Sequence, residues 1–396
     1  MKLYIDISVL TLAAFVTGIQ RAAQEIILRL IQNQMHGQVQ NQAPRQIQEV
    51  ILLYYRAADN RYYRIDNQAF IQYYAGHRGI KEKMMTKHGI ALEDIGHGSI
   101  FFDLDAAWIG RVRRSYLLPL LKRQGAEIVV HIYDIISITH PQYCLQRGVY
   151  QFMDYLGAHL QYADKMIVNA HATVTELEKL TRQIGCKLPS CTVIPLGADF
   201  HEVRRIQKKE IRKSLLKAAE NKPYLLMVGT IEPRKNHKLL LRAYDEGLRD
   251  LGYHIIFAGY MGWNMEVFEK KLKAHPDYGK RIFHFEGLKD DEISYLYQHA
   301  EFLVFCSYTE GYGLPLIEAL QRGTPVLASD IPVSREVAGD YCEYFEQDNV
   351  QQICRKAAYF KTHRKAYHRL KKRIREYRPA DWKSCYLNMR QVLCRG

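Results

Sequence analysis

The stretch Phe302-Leu-Val-Phe-Cys-Ser-Tyr-Thr-Glu310-Gly-Tyr-Gly-Leu-Pro-Leu-Ile-Glu318-Ala-Leu-Gln-Arg-Gly323 reads as a strand, a loop and a helix in that order. Its apolar opening suits a strand buried on both faces, as parallel strands are. Gly311 and Gly313 let the loop backbone come close to a ligand. Pro315 fits the first helical turn, where its missing N–H has no partner to lose, and Gly323 suits a left-handed cap at the helix end. The N–H groups around Gly311, Tyr312, Gly313 and Leu314, together with the helix dipole, offer a place for a diphosphate. Glu310 and Glu318 flank that place. A carboxylate there must turn towards hydroxyl groups, and a nucleotide sugar has hydroxyls on both sides of its diphosphate. A capped core helix with two exposed glutamates is the plainer alternative.

The same half of the chain repeats the pattern. Tyr224–Val228 reads as a strand ending at Gly229, and Thr230-Ile-Glu-Pro-Arg234-Lys235-Asn236 turns into a helix. Arg234 and Lys235 there suit the neutralisation of a diphosphate leaving group. Further strands are expected at His254–Ala258, Ile282–Phe285 and Pro325–Ala328, with helices at Lys238–Gly247, Glu266–Lys273, Glu292–His299 and Leu316–Arg322. In the first half, Lys2–Val9, Glu49–Tyr55, Ser99–Leu104, Glu127–Tyr133, Lys165–Asn169 and Cys191–Pro195 read as strands, and Gln20–Gln32 as a helix. Such alternation predicts two doubly wound α/β domains, with ligand bound beyond the strands' C-terminal ends, in a cleft between the domains. A charged helix at His201–Glu220 and a hinge near 196–212 separate the two halves, and 32–48 is a Gln-rich loop. Thr17-Gly18 at the first helix start suits contact with a phosphate or sugar, although no G-x-G-x-x-G is present. Tyr133, Asp134 and His140 follow the buried run Ile128–Ile132 and so belong near the site.

A chain of 396 residues suits two cores rather than one. The net charge of +14 favours an anionic partner. Part of it lies in Arg369-Leu-Lys371-Lys372-Arg373-Ile-Arg375, which a solvated helix face explains more readily than a binding surface. A second basic run, Arg111, Arg113, Arg114, Lys122 and Arg123 around Leu117, Leu118 and Leu120, suits an amphipathic helix resting on anionic lipid. A core-facing helix with a basic outer face fits it equally. The eight scattered cysteines form no zinc-ligand pattern, so no metal is expected. No apolar run reaches membrane-spanning length and the opening residues lack a leader's pattern, which points to the cytoplasm.

Taken together, these segments resemble glycosyltransferase family 4, the retaining transferases of the GT-B fold. The Glu310/Glu318 segment is similar to that family's E-x7-E motif, and Gly229–His237 to its phosphate-binding turn. Thr17–Arg21 resembles the N-terminal glycine loop, Tyr133–His140 the acceptor-side loop, and Val193–Asp199 the hinge. The resemblance implies two Rossmann-like domains facing across a cleft. These are residues 1–200 for the acceptor, 201–378 for the nucleotide sugar, and a helix from 379–396 crossing back to the first domain near Trp382. It implies that Glu310 holds the donor sugar, Glu318 the ribose, and Arg234 and Lys235 the diphosphate, with no cofactor, metal or protein nucleophile. Gly18, Gly229, Thr230 and Gly311–Leu314 would line the donor, and Tyr133 and His140 the acceptor, with Asp134 among the catalytic groups. Thr230 and Tyr133 depart from the family pattern, which has Arg and His there in many members. The variant of the turn resembles mannosyl- and rhamnosyl-type enzymes of bacterial surface polysaccharide synthesis. The implied partners are a nucleotide-sugar donor and a glycan or lipid-linked acceptor, with no nucleic acid; contact with an anionic membrane surface is expected from the basic run around Leu117 alone. A catalytically silent scaffold, an epimerase or a phosphorylase of the same fold are the alternatives.

Overall fold

Short apolar runs ended by glycine or a polar residue form the strands. A computed structural model describes residues 1–12, 18–36, 45–77, 81–198, 208–220 and 222–395. The chain divides into two units, Met1–Gly197 with Ala380–Gly396, and Ala198–Pro379.

The first unit has eight strands: β1 (Lys2–Asp6), β2 (Glu49–Arg56), β3 (Arg61–Ile65), β4 (Met85–Ile90), β5 (Ser99–Asp103), β6 (Glu127–Ile132), β7 (Lys165–Val168) and β8 (Ser190–Val193). They lie in the order β4-β3-β2-β1-β5-β6-β7-β8. All pair in parallel except β3, which is antiparallel to both β2 and β4. The β3–β4 edge, where β3 alternates arginines with buried Tyr62, Tyr63 and Ile65 and β4 is mostly polar and partly or fully exposed, has no counterpart among the expected strands. β5 is buried along its whole length, because helices cover both faces of the sheet. Leu117, Leu118 and Leu121 of the Arg114–Arg123 helix pack with Tyr4, Phe101 and Ile128 in one core, and Phe152, Tyr155 and Leu156 pack with Val130 and Met166 in another.

Two expectations change here. The first strand stops at Asp6, not Val9, because the Asp6 carboxylate accepts the Ser8 backbone N–H at 3.0 Å and starts a helix at Ser8–Leu12. The Arg114–Arg123 helix does not present its leucines outward. Its apolar side is core, Arg114 is 2% exposed within ion pairs to Asp6 and Asp103, and Lys122 pairs with Asp164. That removes the reason for resting it on lipid. Thr17, residues 37–44 of the Gln-rich loop, 199–207 of the hinge and the start of the His201–Glu220 helix lie outside the described residues.

In the second unit β9 (Tyr224–Val228), β10 (His254–Ala258), β11 (Ile282–Phe285), β12 (Phe302–Phe305), β13 (Val326–Ser329) and β14 (Glu343–Phe345) run parallel in the order β11-β10-β9-β12-β13-β14. Successive strands step outward from β9 on one side and from β12 on the other. This is the mononucleotide-binding topology, and its crevice opens beyond the C-terminal ends of the two central strands.

The last helix, Trp382–Cys394, belongs to the first unit. Asp381 caps it by accepting the Ser384 N–H at 2.6 Å, Trp382 is fully buried, and Lys165 Nζ donates to the Val392 carbonyl at 3.1 Å. Gly197 permits the approach: a Cβ there would lie 2.3 Å from the Trp382 nitrogen.

Candidate functional site

The turn after β9 and the loop after β12 meet at the reversal point of the second sheet. Gly229 has φ +122°, a conformation favouring glycine, and the Lys235 side chain lies along it, 3.3 Å from where a Cβ would stand. Gly259 and Gly262, in the loop after β10, hold this turn from the other side. A Cβ on Gly259 would stand 2.0 Å from the Gly229 carbonyl oxygen, and one on Gly262 2.9 Å from Thr230. These two glycines were not among the expected site residues, and Ala258-Gly-Tyr-Met-Gly262 directly after an apolar strand was their signal.

Residues 75 positions apart then come into contact. The Glu310 carboxylate accepts from Arg234 at 2.6 Å, Lys235 at 2.9 Å and Ser307 at 2.8 Å. Arg234 also pairs with Glu232 at 2.8 Å and donates to the Thr309 carbonyl at 3.1 Å. The two cations and two carboxylates balance one another. All are shielded, with side-chain exposures of 19% for Arg234, 10% for Lys235, 7% for Glu310 and 4% for Glu232. Burial alone would raise the Glu310 pKa; Arg234 and Lys235 outweigh it and hold the carboxyl down at about 2. Glu310 is therefore an anion over the whole working pH range. The Tyr308 hydroxyl and the Asn236 amide both donate to Asp348, at 2.6 and 2.9 Å, tying the two loops together.

Beyond the loop, Gly313 at φ +91° precedes the Leu314–Gln321 helix, with Pro315 in its first turn. The first-turn N–H groups of such a helix have no intrahelical acceptors and face the loop end. Tyr312 is buried, and so is Glu318, one turn on, which accepts the Tyr297 hydroxyl at 3.0 Å. Glu318 thus has its own partner, apart from the Glu310 cluster. His237, next to Lys235, is fully buried, and neither ring nitrogen has a hydrogen-bond partner among the described residues. Burial first, then Lys235 and His284, hold its pKa well below the usual value.

In the first unit the expected residues scatter. Gly18 is exposed at the first position of the Gly18–His36 helix. Asp134 accepts the Ile136 N–H at 3.0 Å, and His140 is half-buried, bonded to the Thr139 hydroxyl at 2.9 Å. Tyr133, expected to face the acceptor, instead points inward. It is 5% exposed, its hydroxyl donates to the Leu104 carbonyl at 3.0 Å, and its ring stacks on His131. An apolar β6 draws the aromatic ring that follows it into the core.

A cavity of about 650 Å³ lies over the C-terminal ends of β1, β2 and β5. Its lining includes Asp6, Tyr55, Arg56, Asp105 and Arg111. It too lies where its sheet's strand order reverses, between β1 and β5. Under it Arg114 donates to Asp103 at 2.5 and 3.0 Å and to Asp6 at 2.9 Å, and Tyr62 donates to Asp6 at 2.9 Å. Burial raises the Asp105 pKa to about 7, although backbone N–H groups of Ala106 and Leu10 oppose it. Acidic residues ending two neighbouring apolar strands, Asp6 and the Asp103/Asp105 pair, are the sequence signal for this cavity.

Two α/β units built on largely parallel sheets, each with its crevice at a strand-order reversal, make this a GT-B fold. Residues 207–377, nearly all of the second unit, match the family described as Glycosyl transferases group 1. The chain is 30% identical over 369 residues to the serotype-specific mannosyltransferase WbdA of Escherichia coli, covering 89% of this chain and 40% of WbdA. It thus spans about two-fifths of the length of that relative. It is 37% identical over 119 residues to the O-antigen chain mannosyltransferase B of Escherichia coli, covering 30% of this chain and 31% of that protein. Among solved structures, Anabaena HepE in complex with UDP and glucose superposes with a TM-score of 0.63 at 12% identity, covering 99% of both chains. WaaG, a glycosyltransferase involved in lipopolysaccharide biosynthesis, does so with 0.60 at 14% identity, covering all of both.

Proposed function

We propose that this chain is a glycosyltransferase that moves a hexosyl group, of mannosyl type, from a nucleoside-diphosphate sugar to a glycan or lipid-linked acceptor in surface polysaccharide synthesis. The observation carrying this reading is the buried Glu310 carboxylate bound to both Arg234 and Lys235 at the reversal point of a group 1 domain. The cations offset the charge that develops on the departing diphosphate. Their neighbour Glu310 keeps them fixed before the substrate arrives, and its oxygens accept from donor-sugar hydroxyls. Glu318 serves the ribose. The cavity with Asp6, Asp105 and Arg111 takes the acceptor. Transfer proceeds with retention. The bond from the sugar's anomeric carbon to the phosphate oxygen breaks, the acceptor oxygen bonds that carbon on the same face, and the acceptor proton passes to the leaving phosphate. Arg234 and Lys235 give the electrostatic help that a divalent cation supplies elsewhere, so transfer runs without metal and persists in EDTA.

Thermal shift against GDP-mannose, UDP-glucose, UDP-N-acetylglucosamine and dTDP-rhamnose tests the donor. One sugar nucleotide should raise the melting temperature, and GDP-mannose most. No shift with any of them at millimolar concentration refutes the reading. Strong pyridoxal absorbance, or turnover of the sugar nucleotide to an epimer, would assign the fold to another reaction.

A further inference from the structure

The positive charge of this protein is concentrated. From Arg355 to Arg378 there are eleven lysines and arginines and one acid, Glu376, so this segment holds +10 of the chain's +14. It forms the helices Val350–Thr362 and Arg364–Ile374 of the second unit. Acidic neighbours compensate few of these charges. Glu343 pairs with Lys356 at 3.0 Å and lies 3.7 Å from Arg373, and Glu301 pairs with Arg364. Lys365, Arg369, Lys371, Lys372 and Arg375 have no ion pair among the described residues. The fold makes little use of them: Tyr367, Leu370 and Ile374 anchor the second helix in the core, Lys371 lies 5.8 Å from the Tyr367 ring centroid, and the other four stand exposed on the outside.

We infer that this face is a docking surface for an anionic lipid bilayer. Its location separates it from the sugar-nucleotide site. Tyr367 donates to the Glu301 carbonyl at 3.0 Å, immediately before β12, whereas Glu310 follows β12 at the other end of the sheet. The cations also spread to both flanks of the Arg364–Ile374 helix. Arg355, Lys356, Arg369 and Arg373 surround one depression of about 590 Å³, and Arg364, Lys371, Lys372 and Arg375 another of about 510 Å³. A single polyanionic strand needs one file of cations; a plane of phosphate headgroups engages both flanks at once. Exposed long side chains reach such a plane without inserting the helix. Tyr359, 46% exposed beside the first depression, adds an amphipathic ring suited to the headgroup layer. The inference stands on charge distribution and does not rest on the transferase reading.

Co-sedimentation of the full chain with phosphatidylglycerol-containing vesicles, against pure phosphatidylcholine, is the test. At about 0.1 M salt the protein should pellet with the first and not the second, and rising salt should release it. Each cation at such a surface contributes about five-fold, so replacing Lys365, Arg369, Lys372 and Arg375 together by glutamine should weaken partitioning by at least about 100-fold. Melting temperature and sugar-nucleotide binding should stay as in the parent. If the quadruple variant folds poorly, the pair Lys365→Gln and Lys372→Gln should still show a loss of roughly 25-fold. Failure of the parent to pellet with anionic vesicles, or pelleting of the variants as strongly as the parent, overturns the proposal. Tighter capture by duplex DNA than by vesicles at equal phosphate concentration overturns it in favour of nucleic acid.

Discussion

Replacing Glu310 by glutamine keeps the side chain's shape and removes its charge. In the folded protein the carboxyl is held at about 2, from an ordinary value of 4.5, with Arg234 at 2.6 Å and Lys235 at 2.9 Å. The difference corresponds to about 3 kcal/mol favouring the charged form in the fold, near the 3–5 kcal/mol typical when a buried pair loses one partner. The sign follows from the depressed folded pKa. The stabilisation is complete above the unfolded value of about 4.5 and fades as the pH falls towards about 2. Glu310→Gln should therefore melt roughly 6–12 °C lower at neutral pH. The stability gap between parent and variant, measured by denaturant unfolding, should be constant from about pH 7 to 5.5 and more than half gone near pH 3. Nucleoside diphosphate should bind the variant at least as well, because the site's net charge rises by one, while sugar transfer falls on the order of 100-fold. A gap that persists undiminished at pH 3 would refute the ion-pair reasoning. Transfer at the parental rate would refute the role of Glu310.

Gly229→Ala forces a side chain into φ +122° and pushes on Lys235, so nucleoside diphosphate affinity should fall about ten-fold by calorimetry. Unchanged affinity would mean that Lys235 does not reach the diphosphate. Arg114→Met leaves Asp6 and Asp103 buried without their cation, and about 3–5 kcal/mol of stability should be lost in denaturant unfolding. Gly197→Ala cannot be accommodated 2.3 Å from the Trp382 backbone. Hydrogen exchange in Trp382–Cys394 should rise sharply while the second unit's strands keep their protection.

Five of the six strands of the second unit are legible because each is a short apolar run closed by glycine or a polar residue, and Phe302–Phe305 and Tyr224–Val228 need nothing else; Glu343–Phe345, three residues opening on a charge, is not. The β3–β4 edge is not legible, since Arg61–Ile65 and Met85–Ile90 mix charges and polar groups as loops do. The end of β1 depends on one carboxylate folding back to Ser8, a choice that apolar periodicity does not register. Arg114 looks like any surface arginine until Asp6, 108 positions away, is brought beside it. The Glu310 loop and the Arg234-Lys235 turn each suggest anion chemistry alone, but their direct ion pairing joins residues 75 apart and exists only in three dimensions. Tyr133 misleads for the opposite reason: its position after β6 places it near the strand end, and its ring then turns inward.

The helix Trp382–Cys394 makes the first unit a discontinuous domain, with residues 198–379 inserted into it. During synthesis the N-terminal sheet emerges early, yet the helix that covers Gly197 and engages Lys165 is made only after the whole second unit. At typical elongation rates the interval is roughly 10–35 s. Throughout it the first unit waits with the Trp382 seat uncovered. A nascent-chain protease assay should therefore find Met1–Gly197 sensitive until Trp382–Cys394 has emerged.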